Sequence, residues 1–290
     1  MPIIDIHTHG IGGLDTKTSS SRQILKIAEL HKANGTEEII PTVYADGIDV
    51  MRLYMESVRK AMQKQEDNKD PKEAKILGAH LEGPFLSPKR SGALKKSAFT
   101  LPTKNNIKRL IEGYEDVVKI ITMAPELDYA LDAISAFTKM GIVVSMGHSD
   151  ATYSEAENGF YAGAKSITHL FNAMRPIHHR EPGIAGFGIL SKDIFIEVIA
   201  DPHHLHIKTL EMIFNLKPKD RIIIVSDSVK ETKTSTSSAA ITATSNKLIG
   251  GSLTVAETLH RLKLIGYDEA MLFKCISDNP RNLIEGAKQP

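Results

Sequence analysis

The feature that most limits the fold of this chain is a repeat. Eight short β-branched runs, at 3–9, 38–43, 76–82, 117–124, 142–148, 166–171, 195–200 and 221–226, recur with helical patterns between them. Apolar runs of this length, bounded by Gly, Pro and polar residues, read as buried strands, and strands alternating with helices build a parallel sheet. The helical patterns lie at 21–34, 49–65, 103–114, 127–140 and 152–161, with two more at 253–265 and 267–277.

Eight such units in 290 residues match an α/β fold of the (β/α)8 TIM barrel kind, which takes about 250 residues. The expected organisation is a single barrel domain over 1–290. An open doubly wound sheet is the runner-up, and the absence of Gly-x-Gly-x-x-Gly after any strand counts against it. A long loop follows the third run through Pro84, Pro88, Gly92 and Pro102, and a segment rich in Ser, Thr and Ala at 230–245 reads as a mobile loop or lid.

Charge is nearly balanced, 36 Lys+Arg against 35 Asp+Glu, with no face-long basic stripe, which argues against nucleic acid and anionic membranes as partners. The single cysteine, Cys275, excludes an internal disulfide and suits a reducing compartment. No apolar run reaches about 18 residues, and the first residues read as a strand rather than a targeting segment. A soluble, cytoplasmic protein is expected.

The placement of the polar residues adds chemistry to the fold. Side chains alternate along a strand, so His7 and His9 share a face from which Thr8 turns away, and Gly10, Gly12 and Gly13 end the strand just beyond them. The third run ends in His80 and Glu82, the fifth in His148, the sixth in His169, the seventh in Asp201 and the eighth in Asp227. In a closed barrel these positions face one another across one mouth. Imidazoles and carboxylates converging there suit zinc or a similar divalent ion with an open position for water. His80 reads as structural, and Asp150 as a cap of the helix that follows.

Several stretches carry a closer likeness: Asp5-Ile-His-Thr-His-Gly10, His80-Leu-Glu-Gly-Pro-Phe-Leu-Ser-Pro88, Gly147-His-Ser-Asp-Ala-Thr-Tyr153, Thr168-His-Leu-Phe-Asn-Ala-Met174, His178-His-Arg-Glu-Pro-Gly183, Ile199-Ala-Asp-Pro-His-His-Leu-His206 and Val225-Ser-Asp227. Together with Gly251-Ser-Leu-Thr254 and Asn279-Pro280, they resemble the amidohydrolase superfamily and, within it, the N-acetylglucosamine-6-phosphate deacetylase family. The resemblance runs in order across nearly the whole chain.

It implies that Glu82, His148 and His169 bind a principal metal, that His7 and His9 hold a second with Glu82 bridging, and that Asp227 is the general base and acid. One or two divalent ions per chain are implied, zinc first, with iron or another divalent ion as alternatives. Asn172, the backbone at Ala173, Arg180, His204 and, less directly, His206 resemble the residues that hold an amino-sugar phosphate substrate. Arg180 is expected to reach a neighbouring subunit's site, and the expected assembly is a homodimer. The implied reaction is hydrolysis of N-acetylglucosamine 6-phosphate to glucosamine 6-phosphate and acetate. A related N-acetyl sugar phosphate, or a weakly active sugar-phosphate-binding barrel, is the alternative.

Two departures qualify the likeness. The family carries a small β-sandwich domain that this sequence is expected to lack, leaving the barrel bottom or flank to another subunit or the terminal helices. The loop after Glu82 reads Arg90-Ser-Gly-Ala-Leu94 where the family has a carbonyl-polarising histidine at the last position. Leu94 donates no hydrogen bond.

Overall fold

The computed structural model describes residues 2–68, 72–234, 239–242 and 247–286. Eight parallel strands follow one another in chain order around the sheet: β1 (Ile4–Thr8), β2 (Glu38–Tyr44), β3 (Ala79–Glu82), β4 (Val118–Met123), β5 (Val143–Met146), β6 (Ser166–Ile167), β7 (Phe195–Ile199) and β8 (Ile222–Val225). Just past the end of β8 the ring closes on β1. The N–H of Asp227 donates to the carbonyl of His7 at 2.9 Å, the N–H of His9 donates to Ser228 at 2.7 Å, and Thr8 bridges Ser228 in parallel register. The fold is the (β/α)8 barrel that the eightfold repeat requires.

Ten helices accompany the strands among the described residues: α1 (Ser21–Ala33), α2 (Ile48–Glu66), α3 (Lys104–Ile111), α4 (Ala130–Lys139), α5 (Tyr153–Tyr161), α6 (Gly183–Leu190), α7 (Ile207–Leu216), α8 (Val255–Leu264), α9 (Glu269–Phe273) and α10 (Asn279–Gly286). Their starts are written locally. Ser20 caps α1, and Thr152 with Glu155 and Thr254 with Glu257 form reciprocal capping boxes on α5 and α8. Asp150 does not cap α5 as expected. Its carboxylate instead receives Arg90 at 2.8 Å and Arg175 at 3.0 Å.

The strands are buried on both sides, hence their Ile and Val content. One large apolar cluster fills the layer between strands and helices. A smaller one, with Ile4, Ile6, Ile40, Ile120, Val143, Ile199, Ile223 and Val225, is joined by Leu283 of α10, with Ile284 packed against it. Arg281 of α10 pairs with Glu38 of β2 at 2.7 Å. The terminal helix therefore covers the barrel bottom, one of the two expected solutions.

The structure differs from the sequence reading in several elements. β6 ends at Ile167 because His169 and Phe171 take positive φ, 30° and 75°, which an extended strand cannot continue. α6, a Gly-rich helix buried almost all round, carries no amphipathic stripe to mark it in the sequence, and α7, with an apolar face, is a further helix beyond the expected patterns. The last helical pattern, expected at 267–277, runs on instead through a π-turn at Lys274–Asp278 into α10. The expected lid at 230–245 lies partly outside the described residues. Its described part includes Ile241–Thr242, paired antiparallel with Leu248–Gly250.

Candidate metal centre

Six side chains leave the carboxyl ends of five strands and meet in a space that water barely enters. Nε2 of His148 and Nε2 of His169 each lie 3.1 Å from Oε1 of Glu82 and 3.2 Å from each other. On the other side of Glu82, Nε2 of His7 and of His9 are 3.3 Å apart, and His9 Nε2 is 3.3 Å from Oε2 of Glu82. Asp227 Oδ1 stands 3.5 Å from His7 Nε2 and 3.4 Å from His9 Nε2. Thr8 turns outward, its hydroxyl 2.9 Å from Nε2 of His31 on α1.

Two ligand groups result, His7 with His9 and Glu82, and Glu82 with His148 and His169. Their donor atoms fit a divalent cation on chemical grounds. Acceptors beside Nδ1 of His7 and of His148 hold the proton there and leave each Nε2 with a lone pair turned to the centre, the form in which an imidazole ligates a metal. Electrostatics within the chain point the same way. Burial opposes charge on His7, but Asp227, Glu197 and Glu82 outweigh it and hold the imidazole well above its ordinary pKa. Burial likewise opposes ionisation of Glu82, and the surrounding histidines outweigh it and hold the carboxyl well below its usual range.

Backbone geometry aims these groups. His148, His169 and Asp227 have φ of 46°, 30° and 48°, the left-handed region that residues with a Cβ avoid, and each comes two residues after its strand ends. The flip turns each side chain across the mouth. Gly147 permits the first: a Cβ there would stand 2.7 Å from Cβ of Thr168. The carbonyl of Arg90 accepts from Nδ1 of His148 at 3.0 Å, which directs the Nε2 lone pair at Glu82.

The centre opens into a cavity of about 460 Å³. Asn172, Ala173 and His204 line it, together with Leu94, Tyr44, Lys17, Lys95 and Lys230. His204 donates from Nδ1 to Asp201 at 3.0 Å; burial lowers its basicity, and Asp201 more than restores it. Asp201 is tied in turn to the N–H of Ser252 at 3.0 Å. Two expected substrate residues are not brought here. Arg180 is exposed on the loop between β6 and α6 and does not line the cavity. His206 caps α7, its ring accepting the N–H of Lys208 at 3.2 Å. His80 is structural as expected, tied to the carbonyl of Ile6 at 3.1 Å and to Thr122 at 2.8 Å.

Sequence reasoning missed two neighbours of the centre. Tyr44, at the end of β2, stacks on His9 with ring centroids 3.8 Å apart. Glu197, in β7, places Oε2 2.9 Å from Nδ1 of His7, and both side chains are wholly buried. The available signal for Glu197 was an acidic residue inside the apolar run Phe195–Ile199.

The amidohydrolase family model matches residues 3–288. The N-acetylglucosamine-6-phosphate deacetylase of Lysinibacillus sphaericus is 34% identical over 229 residues, which cover 78% of this chain and 57% of that protein. The N-acetylgalactosamine-6-phosphate deacetylase of Escherichia coli O157:H7 is 30% identical over 228 residues, 78% of this chain and 59% of the relative. This chain thus spans less than two thirds of the length of these relatives. Among solved structures, a variant of the Mycobacterium smegmatis N-acetyl-D-glucosamine-6-phosphate deacetylase, in complex with N-acetyl-D-glucosamine-6-phosphate, superposes with a TM-score of 0.88 at 26% identity, over 98% of this chain and 77% of that one. A barrel of this topology, a strand-end cluster of histidines and carboxylates, and a match running from the first strand to the last helix lead to one conclusion: the chain belongs to the amidohydrolase family.

Proposed function

We propose that this chain is a metal-dependent hydrolase that removes the acetyl group of an amino-sugar phosphate, N-acetylglucosamine 6-phosphate first, giving glucosamine 6-phosphate and acetate. The observation that carries the reading is the convergence of His7, His9, Glu82, His148, His169 and Asp227 at the floor of a cavity that would hold a sugar phosphate. The names of the relatives support the substrate class, and the galactosamine isomer is the nearest alternative.

His148, His169 and Glu82 would hold the principal ion, and His7 and His9, sharing Glu82, a second; the nitrogen and oxygen donors suit zinc, then iron. A divalent ion bound there would lower the pKa of a bound water to about 7 and polarise a carbonyl oxygen. The rest falls to the chain. Asp227, 13% exposed at its side chain and facing the cavity, takes the proton of the attacking water and delivers it to the departing amine. His204, held by Asp201, and Asn172 with the Ala173 backbone anchor the sugar phosphate from the cavity wall. His206 stands two residues further on and supports that wall by starting α7.

In this reading the chain forms a homodimer in which Arg180, exposed on its loop, completes the partner's site, where a guanidinium suits a phosphate geometrically. One barrel domain, 1–290, acting in the cytoplasm, carries the activity in this reading. No described helix is long and apolar enough to cross a membrane.

Leu94 favours a second reading. It lines the cavity without a donor, and loss of one such donor costs about 10²–10³ in rate. The outcome would be a slow enzyme, or a barrel that binds sugar phosphates without turnover. Acetate release from the two N-acetyl sugar phosphates, with and without chelator, separates these readings from the main one.

A further inference from the structure

Glu197 is a carboxylate that the proposed reaction does not use, in a place where an unused carboxylate is costly. It sits mid-strand in β7, with no solvent exposure, and its pairing with Nδ1 of His7 spans 190 residues of sequence. Its other oxygen, Oε1, has no hydrogen-bond partner among the described residues. A buried charge left half-satisfied destabilises a fold unless something nearby compensates it.

The geometry shows what it does for His7. In the neutral form that binds a metal, an imidazole carries one proton on either of its two nitrogens, and a carboxylate 2.9 Å from Nδ1 keeps that proton on Nδ1. The Nε2 lone pair is then fixed toward His9, Glu82 and Asp227. Glu82, Asp227 and Glu197 bring three carboxylates to the buried imidazoles. One divalent ion leaves part of that negative charge uncompensated, and a second removes the deficit. His148, by contrast, is oriented by the backbone carbonyl of Arg90, so the two sides of the centre have separate supports.

We propose that Glu197 is the positioning residue that commits His7 to metal binding and thereby sets occupancy of the His7–His9–Glu82 side, independently of the Glu82–His148–His169 side. The inference rests on the reading of a two-ion centre given above. A carboxylate behind a metal-bound histidine raises its basicity and fixes its orientation, and its loss costs 10–100-fold in metal affinity.

The test measures metal directly. The purified chain, stripped and reloaded with zinc, is assayed for ions per chain by elemental mass spectrometry and for stepwise affinity by chelator competition, in wild type, Glu197→Ala and Glu197→Gln. Wild type should hold two ions. Glu197→Ala should lose about 10–100-fold in affinity for one ion while the other step stays unchanged, and Glu197→Gln, which keeps an acceptor of the same shape, should lose less. Two ions bound with unchanged affinity in Glu197→Ala overturn the role of Glu197 while leaving the two-ion reading intact. Equal weakening of both steps also overturns it, because that is the signature of general damage. A single ion in wild type overturns the two-ion reading and the proposal together.

Discussion

The backbone N–H of Asp227 donates to the carbonyl of His7 at 2.9 Å, across the seam where the last strand of the barrel meets the first. This bond, one of two backbone hydrogen bonds across the seam, also fixes the carboxylate proposed as base against the first imidazole of the centre. Asp227→Asn keeps the shape and the seam but cannot accept a proton. Its kcat should fall about 10²–10⁴-fold, with the Glu82–His148–His169 ion retained when metal content is measured on the same sample.

Glu82 is the one residue common to both ligand groups. Glu82→Gln should therefore weaken both ions, unlike Glu197→Ala, by more than the 10–100-fold expected for a supporting residue. Metal titration of the two variants side by side reads the difference.

The cavity wall also depends on a residue without a side chain. Gly92 has φ +56°, and a Cβ there would stand 3.3 Å from Cε1 of His148 and 3.2 Å from Cβ of Ala173. Gly92→Ala should cost about 1–2 kcal/mol in stability from the left-handed backbone alone, and it should weaken zinc binding by crowding His148. Chemical denaturation and zinc competition measure the two effects separately.

Acid should destabilise the fold through His31. Burial pulls this histidine from 6.5 down to about 4, and its Nε2 is bound to Thr8 behind the metal centre. The unfolded chain binds a proton there from about pH 6.5 downward, while the folded chain resists until near pH 4. Stability is present in full above pH 6.5 and is lost between 6.5 and 4, by about 3 kcal/mol. Buried His80, also held well below its ordinary value, adds to the slope; urea denaturation of metal-free protein should show it, and His31→Gln should lessen it.

Arg180 offers a test of assembly. If it anchors phosphate in the partner's cavity, Arg180→Ala should raise KM about 10–100-fold, the scale of a charge-assisted hydrogen bond, with kcat little changed. An unchanged KM, or a monomer in sedimentation that is fully active, would remove Arg180 from the site.

Much of this architecture was legible because it is periodic. The strand runs count to eight, and a barrel brings every strand end to one mouth, so His7, His9, Glu82, His148, His169 and Asp227 are grouped by the sequence, together with Asp201, which the structure instead pairs with His204 outside both ligand groups. What stayed hidden depends on local conformation or on partners distant in sequence. Nothing in the residue identities announces the positive φ of His148, His169 and Asp227, and the Gly-rich α6 has no periodic stripe to read. Glu197 meets His7 only because β7 and β1 enclose the same interior. His206 shows the converse limit: a matching motif fixes neighbours in sequence, while cap geometry decides which way a side chain faces.

The central claim is tested most directly by acetate release from N-acetylglucosamine 6-phosphate, measured on protein whose bound metal is counted in the same sample. The expected result is release in proportion to bound metal, lost with chelator and restored by zinc. No release from this substrate or from its galactosamine isomer, at full occupancy with zinc or iron, would contradict it.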